Sequence, residues 1–177
     1  MSINGSRKDK VTYEETTFFG LLKIGGFKEF ITWSMLYSIL LTAALFLIVH
    51  FKGKGTIYDL AKAISPIELG ASATIFSIVL AALAVTISLF HPTLLPALLK
   101  AKLLHKYLFP FWKVVAMWGL NLTFNLVIII FTTIDLNLYN FIEYIFILNT
   151  FLFIYSTLYT VKLTGLVIQL TLQRAQL

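Results

Sequence analysis

Four long apolar stretches, separated by shorter polar segments, dominate the chain. They cover residues 31–49, 69–90, 114–134 and 144–161. At about 1.5 Å per helical residue, stretches of this length cross a hydrocarbon core of about 30 Å. The pattern therefore predicts an all-α integral membrane protein with four transmembrane helices, in which residues 31–161 form the transmembrane domain.

The polar segments predict additional elements around these spans. Residues 1–15 are polar with mixed charges, and residues 16–30 alternate aromatic and aliphatic side chains with lysines. We expect a cytoplasmic tail followed by an N-terminal interfacial helix within residues 1–30. The alternative for residues 16–30 is an irregular lead-in whose lysines extend to the membrane surface. Ser65, Pro66 and Glu68 match a capping box with proline at the first helical position, so the second helix should begin there.

Residues 91–113 form a basic, leucine-rich elbow between the second and third spans. Pro96 favours the start of a short helix that ends before Pro110. Anionic lipid heads attract lysines, so the elbow should lie on the inner membrane surface, or it should dock a cytosolic protein. Direct nucleic-acid binding is unlikely because an extended basic face is missing. The cytoplasmic basic surface comprises Lys100, Lys102, Lys106 and Lys113.

The C-terminal segment 162–177 contains no proline, and leucines recur in it every seven residues, at Leu163, Leu170 and Leu177. This spacing predicts that the last helix extends into the cytoplasm and associates there.

Small side chains line one face of each of the first two spans. Bare faces let helix backbones approach closely in lipid, so these faces predict a helix-packing or oligomer seam. The alternative is that small residues are simply common in spans. The seam residues are Ala73, Ser77, Ala81, Ala84 and Ser88 in the second span and Ser34, Ser38 and Thr42 in the first.

Three asparagines are the main polar residues inside the spans. Asn121 and Asn125 share a face of the third span, and Asn149 lies in the fourth. These amides either pair across helices or line a wet path between subunits. No ionisable residue is expected inside a span; Lys113 is assigned to a span edge. Trp112 and Trp118 are assigned as anchors at the membrane interface.

Composition agrees with a membrane class and limits the possible chemistry. The chain is 59% apolar and contains no cysteine, whereas soluble domains are about 45 to 50% apolar. The three histidines have no metal-ligand spacing, and no nucleophile, phosphate-loop or dinucleotide motif is present. We therefore expect no enzyme activity and no catalytic, cofactor or metal site.

The distribution of positive residues predicts the orientation. Eleven Lys and Arg residues lie before the first span, in the elbow and after the fourth span, against three in the loop 50–68 and none in the turn 135–143. The positive-inside rule then puts both termini in the cytoplasm of a multi-pass protein in the cell inner membrane.

The four-span plan, the second-span sequence FSIVLAALAVTISLF and the basic elbow from His91 to Lys113 resemble the small four-span membrane proteins of prokaryotic antiphage systems. Examples are the membrane subunit of the Kiwa system and the accessory membrane proteins of CRISPR loci. The resemblance implies a homo-oligomer that recruits or responds to a cytosolic protein. It carries no site residue over to this chain.

Three functions remain open at this point. The first is a non-enzymatic membrane subunit that homo-oligomerises, contacts membrane lipids and works with a cytosolic protein partner. The second is a stand-alone pore or channel that permeabilises the membrane. The third, a small-solute transporter, is disfavoured because an internal repeat and a charge at mid-membrane are both missing from the sequence pattern.

Overall fold

A computed structural model describes residues 33–51, 56–89, 103–134 and 138–175, and this part of the chain is almost entirely helical. The helices are α1 (Trp33–His50), α2 (Thr56–Leu89), α3 (Leu103–Ile134) and α4 (Tyr139–Ala175). Three of them, α2, α3 and α4, are long and apolar enough to cross a membrane, whereas α1 is a shorter apolar helix. The predictions of an all-α fold and of a membrane protein are confirmed at this level.

Helix α2 begins nine residues earlier than the capping box predicted, and Pro66 lies inside it. A proline inside a helix removes one backbone hydrogen bond and costs about 3 kcal/mol. Tertiary packing outweighs that cost, because the first turns of α2 bury Tyr58 and Ala61 in the core. Pro66 itself is exposed. The prediction that the second helix starts at Ser65 is therefore wrong.

Helix α3 likewise passes through a proline. It runs from Leu103 without a break past Pro110, where the sequence predicted that a helix of the elbow would end. Phe109 and Phe111 on either side of Pro110 are 1% and 0% exposed, so burial of both rings favours continuation of the helix. The described part of the elbow, residues 103–113, and the third span thus share one helix.

Helix α4 is continuous over 37 residues. It contains the predicted fourth span and extends it into the C-terminal segment, as expected from the absence of proline there. The predicted tail and interfacial helix in residues 1–30, the elbow residues 91–102 with Lys100 and Lys102, and the turn 135–137 lie outside the described residues.

Helix α4 packs antiparallel to α1 and α3, and α2 packs antiparallel to α3. Helices α2 and α4 run parallel, because Tyr58 packs on Tyr139 and Glu68 bonds to Asn149. Helix α4 contacts the three others, α2 also packs closely on α3, and α1 packs mainly on α4. The Phe46 and Phe146 rings meet edge to face, 6.1 Å apart, towards one end of the α1–α4 pair. Met35 lies beside Tyr155 towards the other end. This arrangement gives an up-down-up-down bundle.

Two apolar clusters fill the interior, one towards each end of the bundle. One cluster comprises Val79, Phe111, Val114, Met117, Trp118, Tyr155, Tyr159 and Leu163. The other comprises Tyr58, Ala61, Ile128, Ile142 and Phe146. Along each helix, the buried polar side chains described below lie between these two clusters.

Trp118 is a core residue and not the interface anchor that the sequence predicted. It is 0% exposed. Its Nε1 donates a hydrogen bond to Thr160 Oγ1 at 3.1 Å, and its ring packs edge to face on Phe153 at 5.5 Å. Because α3 begins at Leu103, Trp118 lies four turns inside the helix. Trp112 is 41% exposed.

Candidate functional site

Five polar side chains from three helices meet at the middle of the bundle. Asn121 is the central residue of the apolar part of α3, which runs from Leu108 to Ile134, and Ser72 lies at the centre of the corresponding part of α2, Ile57 to Ser88. Glu68 shares a face with Ser72, and Asn125 shares one with Asn121, because residues four apart are neighbours on a helix. Asn149 of α4 completes the group, which we call the polar cluster.

The three asparagines of the polar cluster form a closed ring of hydrogen bonds. Asn121 Nδ2 donates to Asn149 Oδ1 at 2.8 Å, and Asn149 Nδ2 donates to Asn125 Oδ1 at 2.9 Å. Asn125 Nδ2 closes the ring by donating to Asn121 Oδ1 at 3.1 Å. All three residues are 0% exposed. The ring therefore connects α3 to α4 in both directions.

The remaining amide hydrogens of the ring also have acceptors. Asn121 Nδ2 donates to the Asn149 carbonyl at 3.1 Å, and Asn125 Nδ2 donates to the Asn121 carbonyl at 3.1 Å. Asn149 Nδ2 donates to Glu68 Oε2 at 2.8 Å. Each amide carries two N–H donors, so the three side chains use their full donor capacity inside the chain.

Helix α2 joins the ring through Ser72 and Glu68. The Ser72 hydroxyl donates to Asn121 Oδ1, and the Glu68 carboxyl accepts from Asn149. Ser72 is 0% exposed and Glu68 is 8% exposed. Unpaired polar groups are costly in lipid, where water does not reach them. The polar cluster therefore favours one relative position of α2, α3 and α4.

Glu68 corrects the expectation that no ionisable residue lies inside a span. The carboxyl is buried in the apolar part of α2, and within the described helices no Lys, Arg or His forms an ion pair with it. Glu68 had been assigned instead to a capping box at the start of the second helix, just before the predicted span 69–90. A signal was available: Ala61, Ser65, Glu68, Ser72 and Val79 follow helical spacing, and all five are buried.

The two predicted seam faces have different surroundings. On α1, Ser38 and Thr42 are buried, Ser34 is half-buried, and Ser38 Oγ donates to the Ser34 carbonyl at 2.7 Å. On α2, the complete small-residue row is exposed, so it makes little contact with the rest of its own chain: Ala73, Ser77, Ala81, Ala84 and Ser88. We call this row the small face of α2. Its role as an oligomer seam stays a prediction.

Lys113 differs from the predicted basic surface. Its side chain is 1% exposed, and its ammonium lies 4.2 Å from the centre of the Tyr159 ring and 5.3 Å from that of Tyr155. It is therefore a core residue and not part of a cytoplasmic face or an exposed span edge. Lys106 lies in the first turn of α3.

The chemistry available in the polar cluster is narrow. It contains one carboxyl, three neutral amides and one hydroxyl. In the described ranges, no three His, Cys, Asp or Glu side chains group as metal ligands. The cluster can hold helices together, and its carboxyl can bind a proton or a cation.

Comparison with known protein families, curated proteins and solved structures gives no match to this chain.

Proposed function

We propose that this chain is a non-enzymatic, multi-pass subunit of the cell inner membrane that homo-oligomerises and recruits or responds to a cytosolic protein, in the setting of antiphage defence. The observation that carries the proposal is the closed hydrogen-bond ring of Asn121, Asn125 and Asn149. Amides whose donors are all used within the bundle, on one another, on backbone carbonyls and on Glu68, hold helices together. They do not offer these donors to water or to a passing ion.

Hydroxyls on the outer faces of the helices support the same interpretation. Each donates to a backbone carbonyl three or four residues earlier in its own helix, at 2.7 to 3.1 Å; examples are Thr74, Ser77, Ser88, Thr123, Thr133 and Thr164. Such hydroxyls satisfy themselves locally and are compatible with lipid. A stand-alone pore, the alternative function, requires polar groups that face water along a continuous path.

The oligomer is supported by the small face of α2. Its alanines and serines are exposed in the single chain, and small side chains allow a second helix to approach closely in lipid. We therefore infer that a second copy of this chain packs on this face, with its own α2 in contact.

The proposed topology has four spans and both termini in the cytoplasm. In such a protein the first and last spans run in opposite directions, which agrees with the antiparallel packing of α1 against α4. Helix α1 has 18 residues, about 27 Å at 1.5 Å per residue, and a slightly short span costs only fractions of a kcal/mol per Å of mismatch. The long α4 then projects its last turns on the cytoplasmic side, beside the basic elbow. Together they offer a cytosolic protein its docking surface.

The oligomer is tested by Ala81→Leu, which adds three heavy atoms to the small face of α2. Ala81 is exposed, so leucine meets no crowded group of its own chain. If two copies meet there, overpacking should cost about 1 to 3 kcal/mol and the oligomer should shift towards monomer in mild detergent, measured by light scattering. Ala43→Leu makes the same change at an exposed position of α1. Equal behaviour of the two variants would exclude this seam.

The orientation is tested with single cysteines, which are unambiguous because the chain has none of its own. Asn137→Cys should react with a membrane-impermeant thiol reagent in intact cells whose outer barriers admit it, and Lys102→Cys should react only after lysis. The opposite pattern of labelling would overturn the proposed topology.

One observation favours a second candidate function, proton- or cation-linked transport of a small solute. Glu68 is buried at the centre of the bundle with one amide donor, and intramembrane carboxyls commonly serve ion or proton pathways. A transporter of this kind should lose uptake in Glu68→Gln with its fold intact. The subunit proposal instead predicts that Glu68→Gln retains assembly and partner binding.

A further inference from the structure

An apolar groove lies between α1, α3 and α4. Its volume is about 280 Å³, and it is lined by Met35 of α1, by Phe151 of α4 and by Lys113, Ala116, Met117 and Leu120 of α3. The α3 residues follow helical spacing, so the groove runs along the helix axis for about 10 Å. It begins beside the stem of Lys113 and ends towards the middle of the bundle.

Two lysines lie near the ring of Tyr159, one helical turn beyond Tyr155, which lines the groove together with Lys113. The Lys113 ammonium lies 4.2 Å from the centre of the Tyr159 ring, and the Lys162 ammonium lies 5.7 Å from the centre of the same ring. Lys113 is buried, whereas Lys162 is exposed. One ammonium therefore lines the groove, and a second, which is accessible from outside, lies about two turns of α4 beyond Tyr155.

Lys113 lies at about the depth in the membrane where lipid headgroups begin. The apolar part of α3 has 27 residues, about 40 Å at 1.5 Å per residue, which exceeds a hydrocarbon core of about 30 Å by about 5 Å at each end. Lys113 lies about 8 Å from the first of these residues, and hence within one helical turn of the hydrocarbon boundary. A groove that starts there and runs inward is parallel to the acyl chains.

We propose that this groove binds an anionic phospholipid. The phosphate contacts Lys162 and lies in the positive field of Lys113, while one acyl chain fills the apolar groove. Small-molecule sites typically have volumes of about 300 to 1,000 Å³, so the groove accommodates part of one chain and not a complete lipid. The two lysines favour an anionic headgroup over a zwitterionic one, because a zwitterionic lipid carries no net negative charge.

The test measures thermal unfolding of the full chain in detergent during titration with phosphatidylglycerol or phosphatidylcholine. Phosphatidylglycerol should stabilise the protein at lower concentration. A basic residue near an anionic surface contributes about 1 kcal/mol, so Lys162→Gln should weaken the apparent affinity for phosphatidylglycerol about fivefold. Ala116→Phe should fill the groove and reduce the affinity for both lipids.

Lys62→Gln is the matched control, because Lys62 is also exposed but lies on α2, away from the groove. A loss in Lys62→Gln equal to that in Lys162→Gln would overturn the site, because it would reflect net charge alone. Equal stabilisation by both lipids would show that the site does not select a net negative headgroup, and would overturn the proposal of an anionic lipid. Glycerol phosphate, which has no acyl chains, should not stabilise the protein. If it stabilises the protein as much as phosphatidylglycerol does, then no acyl chain binds in the groove. A change in oligomer size in Ala116→Phe, with lipid selectivity unchanged, would assign the groove to a second copy.

Discussion

Asn149 is the residue through which α4 holds α2 and α3, so Asn149→Ala perturbs the polar cluster most directly. The change removes three side-chain hydrogen bonds. Asn149 Oδ1 accepts one from Asn121 Nδ2, and Asn149 Nδ2 donates the other two, to Asn125 Oδ1 and to Glu68 Oε2. Hydrogen bonds between membrane helices average about 0.6 kcal/mol each. We therefore expect the free energy of unfolding to fall by about 2 kcal/mol.

The assay is equilibrium unfolding in mixed micelles with increasing sodium dodecyl sulfate, followed by tryptophan fluorescence. Trp118 is a suitable reporter because it is fully buried. Asn140→Ala is the matched control, since Asn140 lies in the first turn of the same helix and is exposed. The combination of Asn149→Ala with Asn125→Leu should cost less than the sum of the single changes, because both remove one shared bond. A cost equal to that of Asn140→Ala would refute the structural role of the ring.

Four more substitutions, at three positions, test the interior of the bundle by the same unfolding assay. Thr160→Val removes the acceptor of the Trp118 indole hydrogen bond and keeps the fluorescent reporter. It should cost about 1 to 2 kcal/mol, and an unchanged midpoint would mean that the indole nitrogen makes no stabilising bond. Ser65→Ala removes a buried hydroxyl that has no hydrogen-bond partner, so stability should be unchanged or rise by up to about 1 kcal/mol, and a clear loss would show an unseen partner. Glu68→Gln keeps an acceptor for Asn149 without the cost of burying a charge, so stability should be retained, whereas Glu68→Leu should lower it by about 1 kcal/mol.

The helices were predictable from the apolar stretches, but their ends were not. Local rules gave helix boundaries at Pro66 and Pro110, and α2 and α3 pass through both. The reason is long-range: Tyr58 and Phe109 are buried by packing within the bundle, and a local rule contains no information about those partners. The uninterrupted α4 was predictable because no proline competes with its helical pattern.

The candidate site was partly predictable. The helical spacing of Asn121 and Asn125 marked a polar face, and Asn149 was an evident partner for it. Glu68 was not assigned to this site, because its position before the apolar stretch 69–90 suggested a capping role. Lys113 was assigned to the surface for a similar reason, since cations near span ends usually reach water. The tyrosine faces that cover it become neighbours only in the folded bundle.

The central claim is that the polar side chains within the helices hold the bundle together and do not line a conducting path. Ion flux through the purified chain, reconstituted in liposomes without a partner protein, tests this claim most directly. The account predicts no sizeable flux for the natural sequence. Ion flux without a partner protein, with a selectivity that shifts towards cations in Asn125→Asp, would contradict this claim and establish the pore.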